Sequence, residues 1–342
     1  MTTTFIIDNK GDTLLILRYP NRPFKKADQD DLWDNHLELH DDDTNIYKSH
    51  LLDKKGEFRD TGVSYPASKN PRKDVSWRVS SQKLKNASVY FRDLAAEDWK
   101  ESNISEQGYK YTITVEGWSS RVLHKLILAM HGEHFHLDGV KSEPKLGAQL
   151  AVIIDAYQCH NLVRLRFPPV PGRYPYNENL LFSFFSSWVF GDEECFEIFS
   201  KSIIIQTRGR MHTLGMPVPE SIIDAIDQRR QYYIDEMLND VHDTALTSNQ
   251  KVREHLVNSL SGVFRSWPLE EPFEGLSVLN VYRALKDIRK LHNIRLNDFY
   301  NQTDSFSDMD TSMSARRRHL PILGSLRGSW DGLDMSAFST HI

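Results

Sequence analysis

Two short apolar runs open the chain, Phe5-Ile-Ile7 and Leu14-Leu-Ile-Leu17, and the next patterned segment arrives only after the polar stretch 22–73. That segment is Trp77-Arg-Val-Ser-Ser-Gln-Lys-Leu-Lys-Asn-Ala-Ser-Val-Tyr-Phe-Arg92. The interruption constrains the fold, because a loop of this length inside a compact domain is uncommon unless it is functional or unstructured. Rich in Asp, Lys, Asn and His and without a sustained hydrophobic period, 22–73 is read as a largely solvated, disordered or weakly structured insertion. Before it, Asp8-Asn-Lys-Gly-Asp12 separates the apolar runs, and the pattern predicts two short strands joined by a tight glycine-containing turn.

Beyond the insertion the hydrophobic period switches repeatedly. Val75, Trp77 and Val79 alternate as in a strand, and Ser80 or Ser81 can cap the helix that follows, which carries Leu84, Ala87, Phe91, Leu94 and Ala95 to an acidic end at Glu97-Asp98. Tyr111, Ile113 and Val115 mark another strand. Trp118-Ser-Ser120 then opens a helix through Val122, Leu123, Leu126, Ile127 and Met130 that ends near Gly132. A third amphipathic helix runs from Leu146 to Tyr157, and a short piece, Asn161 to Phe167, closes the section.

After Pro171 the pattern is helical without an internal repeat. An aromatic helix holds Leu180 to Val189, a second Cys195 to Ile203, and a longer one starts at Pro219 and carries Ile222 to Val241. Two more follow, one through Val252, Leu256, Leu260 and Val263, the other capped by Ser277 and carrying Val278, Val281, Leu285 and Ile288. The aromatic stripe is expected to be plain core. Residues 297–319 read as a linker, Ser/Asp-rich and then basic at Arg316-Arg-Arg318, and 320–342 as a tail with a short amphipathic end from Leu320 to Phe338. Ser305, Ser307, Ser312 and Ser314 in the linker offer hydroxyls for phosphorylation.

Composition narrows the function classes. The 342 residues are 39% hydrophobic and 26% charged, with a formal net charge of −5, so bulk electrostatics favours neither nucleic acid nor an anionic membrane. The two cysteines, Cys159 and Cys195, lack CxxC spacing, which fits a reducing compartment and excludes a disulfide framework. No basic start precedes a long apolar stretch, and no run approaches about eighteen apolar residues, so a soluble, intracellular protein is expected and the sequons at Asn86, Asn103 and Asn301 are read as accidents of composition.

Chemistry-bearing motifs are sparse. The histidines His124, His131, His134 and His136 raise zinc, but Gly132 splits them between helix and loop and no cysteine or carboxylate set completes four ligands; solvated histidines are the expected reading. A metal-dependent enzyme at His131, His134 and His136 is kept as the remote alternative. Phosphate-binding glycine motifs and nucleophile elbows are absent from the sequence. Cys159 beside His160 is expected to be a buried structural cysteine, since helix neighbours point about a hundred degrees apart. No cofactor or enzyme class is expected.

The order strand, helix with Leu84-x-x-x-Ser88-x-x-Phe91, strand, paired helices resembles the BTB/POZ core. More narrowly, Arg78-Val-Ser-Ser-x-x-Leu84, Tyr157-Gln-Cys-His160, Ser187-Trp-Val-Phe-Gly-Asp192, Leu214-Gly-Met-Pro-Val-Pro-Glu-Ser-Ile-Ile223 and Glu271-Pro-Phe-Glu-Gly-Leu276 are similar to a group of fungal BTB-domain proteins of undefined biochemical role. The resemblance implies an α+β fold, a small sheet flanked by helical hairpins over 1–21 and 74–167, followed by an all-α C-terminal module over 168–296. The long insertion and Ser80, where many such domains carry histidine, depart from the family, and the latter weakens any transfer of its charged dimer-interface pocket. The implied function is a non-enzymatic protein–protein interaction module, a scaffold that recruits protein partners. Self-association into a homodimer through an edge at Phe5, Ile6 and Ile7 is one version. In that family a hydrophobic-x-Glu triplet after the second core helix is associated with cullin docking, and Trp99 and Glu101 stand at that place, so a cullin ubiquitin-ligase adaptor is the alternative.

Overall fold

The computed structural model describes residues 3–21, 24, 74–98, 108–133, 143–163, 174–247, 272–285 and 331–338, with isolated positions at 250, 254 and 258. The fold is mixed α+β with a small sheet and many helices. The insertion 22–73 apart from Phe24, the 297–319 linker with Arg316 to Arg318 and its serines, and the helix expected over Val252 to Val263 apart from positions 254 and 258 lie outside the described residues.

The sheet corrects one sequence expectation. Strands β1 (Thr3–Ile6) and β2 (Thr13–Arg18) form as the apolar runs predict, but they are not neighbours. The strand order is β1-β3-β2-β4, where β3 is Val75–Val79 and β4 is Tyr111–Glu116. β3 enters between β1 and β2, parallel to β1 and antiparallel to β2, while β4 lies parallel to β2. The connection Ile7 to Asp12 must therefore cross the end of β3 and span two strand spacings, about 10 Å, which a two-residue hairpin turn cannot do.

That crossing fixes the turn. Ile7 and Asp8 both donate backbone N–H to the Arg78 carbonyl at 3.0 and 3.2 Å, and the Arg78 guanidinium donates back to the Gly11 carbonyl at 2.9 Å. Gly11 passes so close to β3 that an added Cβ would lie 2.7 Å from the Val79 carbonyl oxygen. Beside it, Asp12 accepts from the Ser81 N–H at 2.8 Å and the Ser81 hydroxyl at 2.7 Å, tying the start of β2 to the first helix. Burial works to raise the Asp12 carboxyl, but these hydrogen bonds and one from Thr13 win and hold it below the usual 3.8.

Helix α1 (Ser81–Ala87) is capped by Ser80, whose side chain accepts from the Lys83 N–H. The single helix expected from Leu84 to Ala95 is in fact two, because Ser88 is extended (φ −140°, ψ 130°) and α2 (Val89–Asp98) starts afresh after it. The buried Ser88 hydroxyl donates to the Tyr157 carbonyl at 2.6 Å and accepts from the Phe91 N–H at 3.1 Å, so one side chain starts α2 and satisfies an orphan carbonyl of a distant helix end. α3 (Ser120–Met130) and α4 (Pro144–Tyr157) match the periodicity, and Gly132 at φ +83° follows the end of α3.

The helices after Tyr174 pack on this core rather than apart from it. α5 (Glu178–Phe190) lies against α4 on one side and α6 (Glu193–Gln206) on the other, which is why it is apolar on several faces and why Phe184 and Phe185 are buried as expected. Buried serines on α5 return their hydroxyls to the helix backbone, Ser186 to the Phe182 carbonyl and Ser187 to that of Phe184. Gly191 in the left-handed region and Asp192, which accepts from the Cys195 N–H, make a tight turn into α6. The buried apolar residues form one cluster from Leu15 and Trp77 through α4 and α5 to Met237 on α7 (Glu220–Thr247) and Leu285.

A buried guanidinium holds the end of this assembly. Arg230 on α7 is fully buried, paired with Asp227 at 2.8 Å, and donates to the carbonyls of Pro272, Phe273 and Leu276. The 272–276 turn it reads carries left-handed backbone at Phe273 and Gly275, and Ser277 then caps the helical stretch 278–285 by accepting from the Asn280 N–H.

Two substitutions test these constraints by thermal and urea unfolding. Gly11→Ala forces β3 and its crossing loop apart and is expected to cost about 1–3 kcal/mol. Arg230→Met removes the guanidinium that donates to the Pro272, Phe273 and Leu276 carbonyls and pairs with Asp227, and is expected to cost about 3–5 kcal/mol. An unchanged midpoint in either variant removes the corresponding constraint.

Candidate protein-interaction site

The free side of β1 is one end of the sheet, and among the described residues no strand pairs with it. Alternation decides what it displays. Phe5 points inward, half-buried, its ring stacked on Trp77 at 6.2 Å and tilted against His124 at 5.2 Å. Thr4 shares a 2.7 Å hydrogen bond with the Ser76 hydroxyl across to β3. Ile7 lies past the strand end, half-buried. Ile6, at 61% exposure, is therefore the apolar side chain that the edge offers, and Phe5 and Ile7 contribute backbone and core packing instead.

A second exposed apolar surface lies at the other end of β2 and β4. There Tyr19, Phe24 and Trp118 line a cleft of about 780 Å3 closed by the turn Leu214-Gly215, with Glu116 at its edge. Left-handed backbone concentrates here: of the five described non-glycine residues with positive φ, Tyr19, Asn21 and Leu214 are three. Asn21 has a structural reason. Its N–H donates to the Trp118 carbonyl at 2.8 Å, and its side-chain oxygen accepts from the Ser120 N–H at 3.0 Å, so it caps α3 from ninety-nine residues away while Ser119, the local cap, makes no such bond. Trp118 is held by its own donation to the Tyr157 hydroxyl at 2.8 Å.

Of the histidines singled out in the sequence, the two that are described, His124 and His131, are spent on structure. His124 accepts from the Trp77 indole N–H at 2.9 Å. His131 accepts the Ser80 N–H at its Nε2 (3.0 Å) and meets the Ile127 carbonyl with its Nδ1 (2.8 Å), which assigns the ring proton to Nδ1. A metal on His131 has to break one of these bonds. His134 and His136 lie outside the described residues, and among those described no group of three or more potential ligands could hold an ion.

The thiols are equally committed. Cys159 and Cys195 are buried, and burial pushes both up to about 12, far from a reactive thiolate. Cys159 sits directly after Gln158, the left-handed C-cap of α4, with its Sγ 3.7 Å from the Ile154 carbonyl, while the neighbouring His160 ring turns to Asp155. Trp99 and Glu101 lie outside the described residues, immediately after α2 ends at Asp98. No described helix is long and apolar enough to cross a membrane.

No family model, curated protein or solved structure matches this chain.

Burial lowers both His124 and His131 from the ordinary 6.5. As pH falls below that value the unfolded chain takes up protons that the folded chain refuses, so stability is complete above about pH 6.5 and declines below it. Asp8, lowered by the Lys10 N–H and by Lys83, and Asp12 start from 3.8 and add their loss only at more acid pH. Melting is expected at a lower temperature at pH 5.5 than at pH 7.5, with a smaller difference in His131→Gln. Equal midpoints at the two pH values contradict the assignment.

Proposed function

We propose that this chain is a non-enzymatic protein–protein interaction module, with a BTB/POZ-like core and an all-α C-terminal module, acting as a self-associating scaffold. The observation that carries the reading is the element order, strands around a small sheet, helical segments on either side of Ser88, a strand, then α3 and α4, which follows the order of the resemblance except that its one helix through Ser88 is two. Two further facts support it. Of the side chains that raised metal or thiol chemistry, those described, His124, His131, Cys159 and Cys195, are buried or bonded within the fold. The sheet also ends in a strand whose outer edge carries an exposed isoleucine, the kind of surface that pairs with a second copy.

The test is the molar mass of the intact chain, by light scattering and sedimentation, from low to high micromolar concentration. A concentration-dependent dimer that Ile6→Lys weakens about tenfold or more is expected, since a charge placed on an edge strand opposes pairing. A strictly monomeric protein throughout that range rejects self-association. Affinity purification beside a Glu101→Lys variant separates the adaptor alternative: a cullin recovered with the wild type and lost with the variant makes the chain a ubiquitin-ligase adaptor.

A further inference from the structure

Residues 331–338, Asp-Gly-Leu-Asp-Met-Ser-Ala-Phe, lie against the helical module as an irregular segment. They belong to no sheet and contribute only a single 3-10 turn, Met335–Ala337, capped by Asp334, which accepts from the Ser336 N–H at 2.9 Å. They lie on α6 and α7 and are separated from the helical stretch 278–285 by the stretch 286–330. The contact is made as a bound peptide makes one: a few buried anchors, and backbone groups held by side chains of the surface beneath.

The anchors are specific. Gly332 is seated so deeply against α6 that a Cβ would fall 2.0 Å from the Glu197 carbonyl oxygen and 2.8 Å from the Ser200 hydroxyl. The next residue, Leu333, is buried and donates its N–H to that hydroxyl at 2.8 Å, while Ser200 passes its own proton to the Glu197 carbonyl at 3.0 Å. On the other wall the Tyr233 hydroxyl of α7 accepts the Asp331 N–H at 2.9 Å. Met335 is buried, and Phe338 meets Trp188 and Phe196 edge-on at 6.3 and 6.5 Å. Asp331, Asp334, Ser336 and Ala337 face outward. The recognised pattern is thus Gly-Leu-x-Met-x-x-aromatic. Beside it a shallow space of about 400 Å3, walled by Arg229 and the exposed Tyr232 of α7, is left unfilled by the segment.

We propose that the groove between α6 and α7 is a docking site for a linear peptide, that residues 331–338 are its resident ligand in cis, and that it receives from a partner protein a short segment of Gly-Leu-x-Met-x-x-aromatic chemistry with the same single turn. Ser200 and Tyr233 act as the backbone readers, and the depth at Gly332 selects against any residue with a Cβ at the first anchor. Exchange between resident and incoming segment requires only that the resident contact, a handful of anchors on one short stretch, be weaker than the fold that presents it. This site involves α6 and α7 and stands whether or not the sheet region is BTB-like.

The experiment uses the full chain carrying Gly332→Val, which cannot seat its own segment, and a fluorescein-labelled peptide of residues 327–342 with the native sequence, read by anisotropy. Saturable binding to the variant is expected, at least about tenfold tighter than to the wild-type chain, whose resident segment competes, and at least about tenfold tighter than that of a Leu333→Asp peptide. Ser200→Leu added to the variant is expected to abolish it. If Gly332→Val fails to fold, the wild-type chain with a protease site placed at 305–312 is cut and the same titration is run on the cut protein, where displacement of the native fragment is read by size exclusion. A folded, open chain that takes up no labelled peptide, or that binds the Leu333→Asp peptide equally well, overturns the proposal, and binding only between two copies of the chain, without uptake of free peptide, overturns it as well.

Discussion

The sheet depends on one insertion event. β3 is five residues long, yet it separates two strands that are adjacent in sequence, and everything that follows takes its position from it. Trp77 at its centre is fully buried, stacked on Phe5 and hydrogen-bonded to His124, so β1, β3 and α3 meet on one side chain. On its end residues, Arg78 and Val79, the crossing loop closes with three hydrogen bonds and a glycine that has no room for a side chain. β3 thus pairs in parallel with β1 on one side and antiparallel with β2 on the other.

Elsewhere the fold is joined by polar groups that each serve two elements. Ser88 ends one helix, begins another and occupies a carbonyl at the end of α4. Asn21 caps α3 from across the sheet, and Arg230 gathers the carbonyls of the 272–276 turn. Burying Ser88 and Arg230 is tolerable because the donors and acceptors named find partners; removing one side of the arrangement strands the other. Left-handed backbone marks further joints between elements, at Gln158, Gly191, Leu214, Gly215, Phe273 and Gly275.

The same economy bears on function. Among the described residues, His124, His131, Cys159 and Cys195 are consumed by packing and hydrogen bonding, whereas a strand edge, an aromatic cleft and the face of α6 and α7 that holds residues 331–338 lie at the surface. On that face Ser200 and Tyr233 hold the backbone of the segment without a charged group.

The periodicities of the sequence determined where most described elements form, since the alternation at Val75 to Val79 and the 3.6-residue stripes of α3, α4 and α5 reflect which faces must leave water. They also determined that Phe184 and Phe185 are core, that Ser277 is a cap and that the first helix is capped at Ser80 or Ser81, of which the fold uses Ser80, because those properties are local. Three things were decided only in three dimensions. β1 and β2 were separated by a strand from far along the chain, a pairing that no local pattern encodes. One amphipathic stripe was cut in two at Ser88 because the end of α4 needed a donor there. Residues 331–338 found their groove because Gly332 fits where any Cβ collides, a match between two surfaces that exists only once α6 and α7 are side by side.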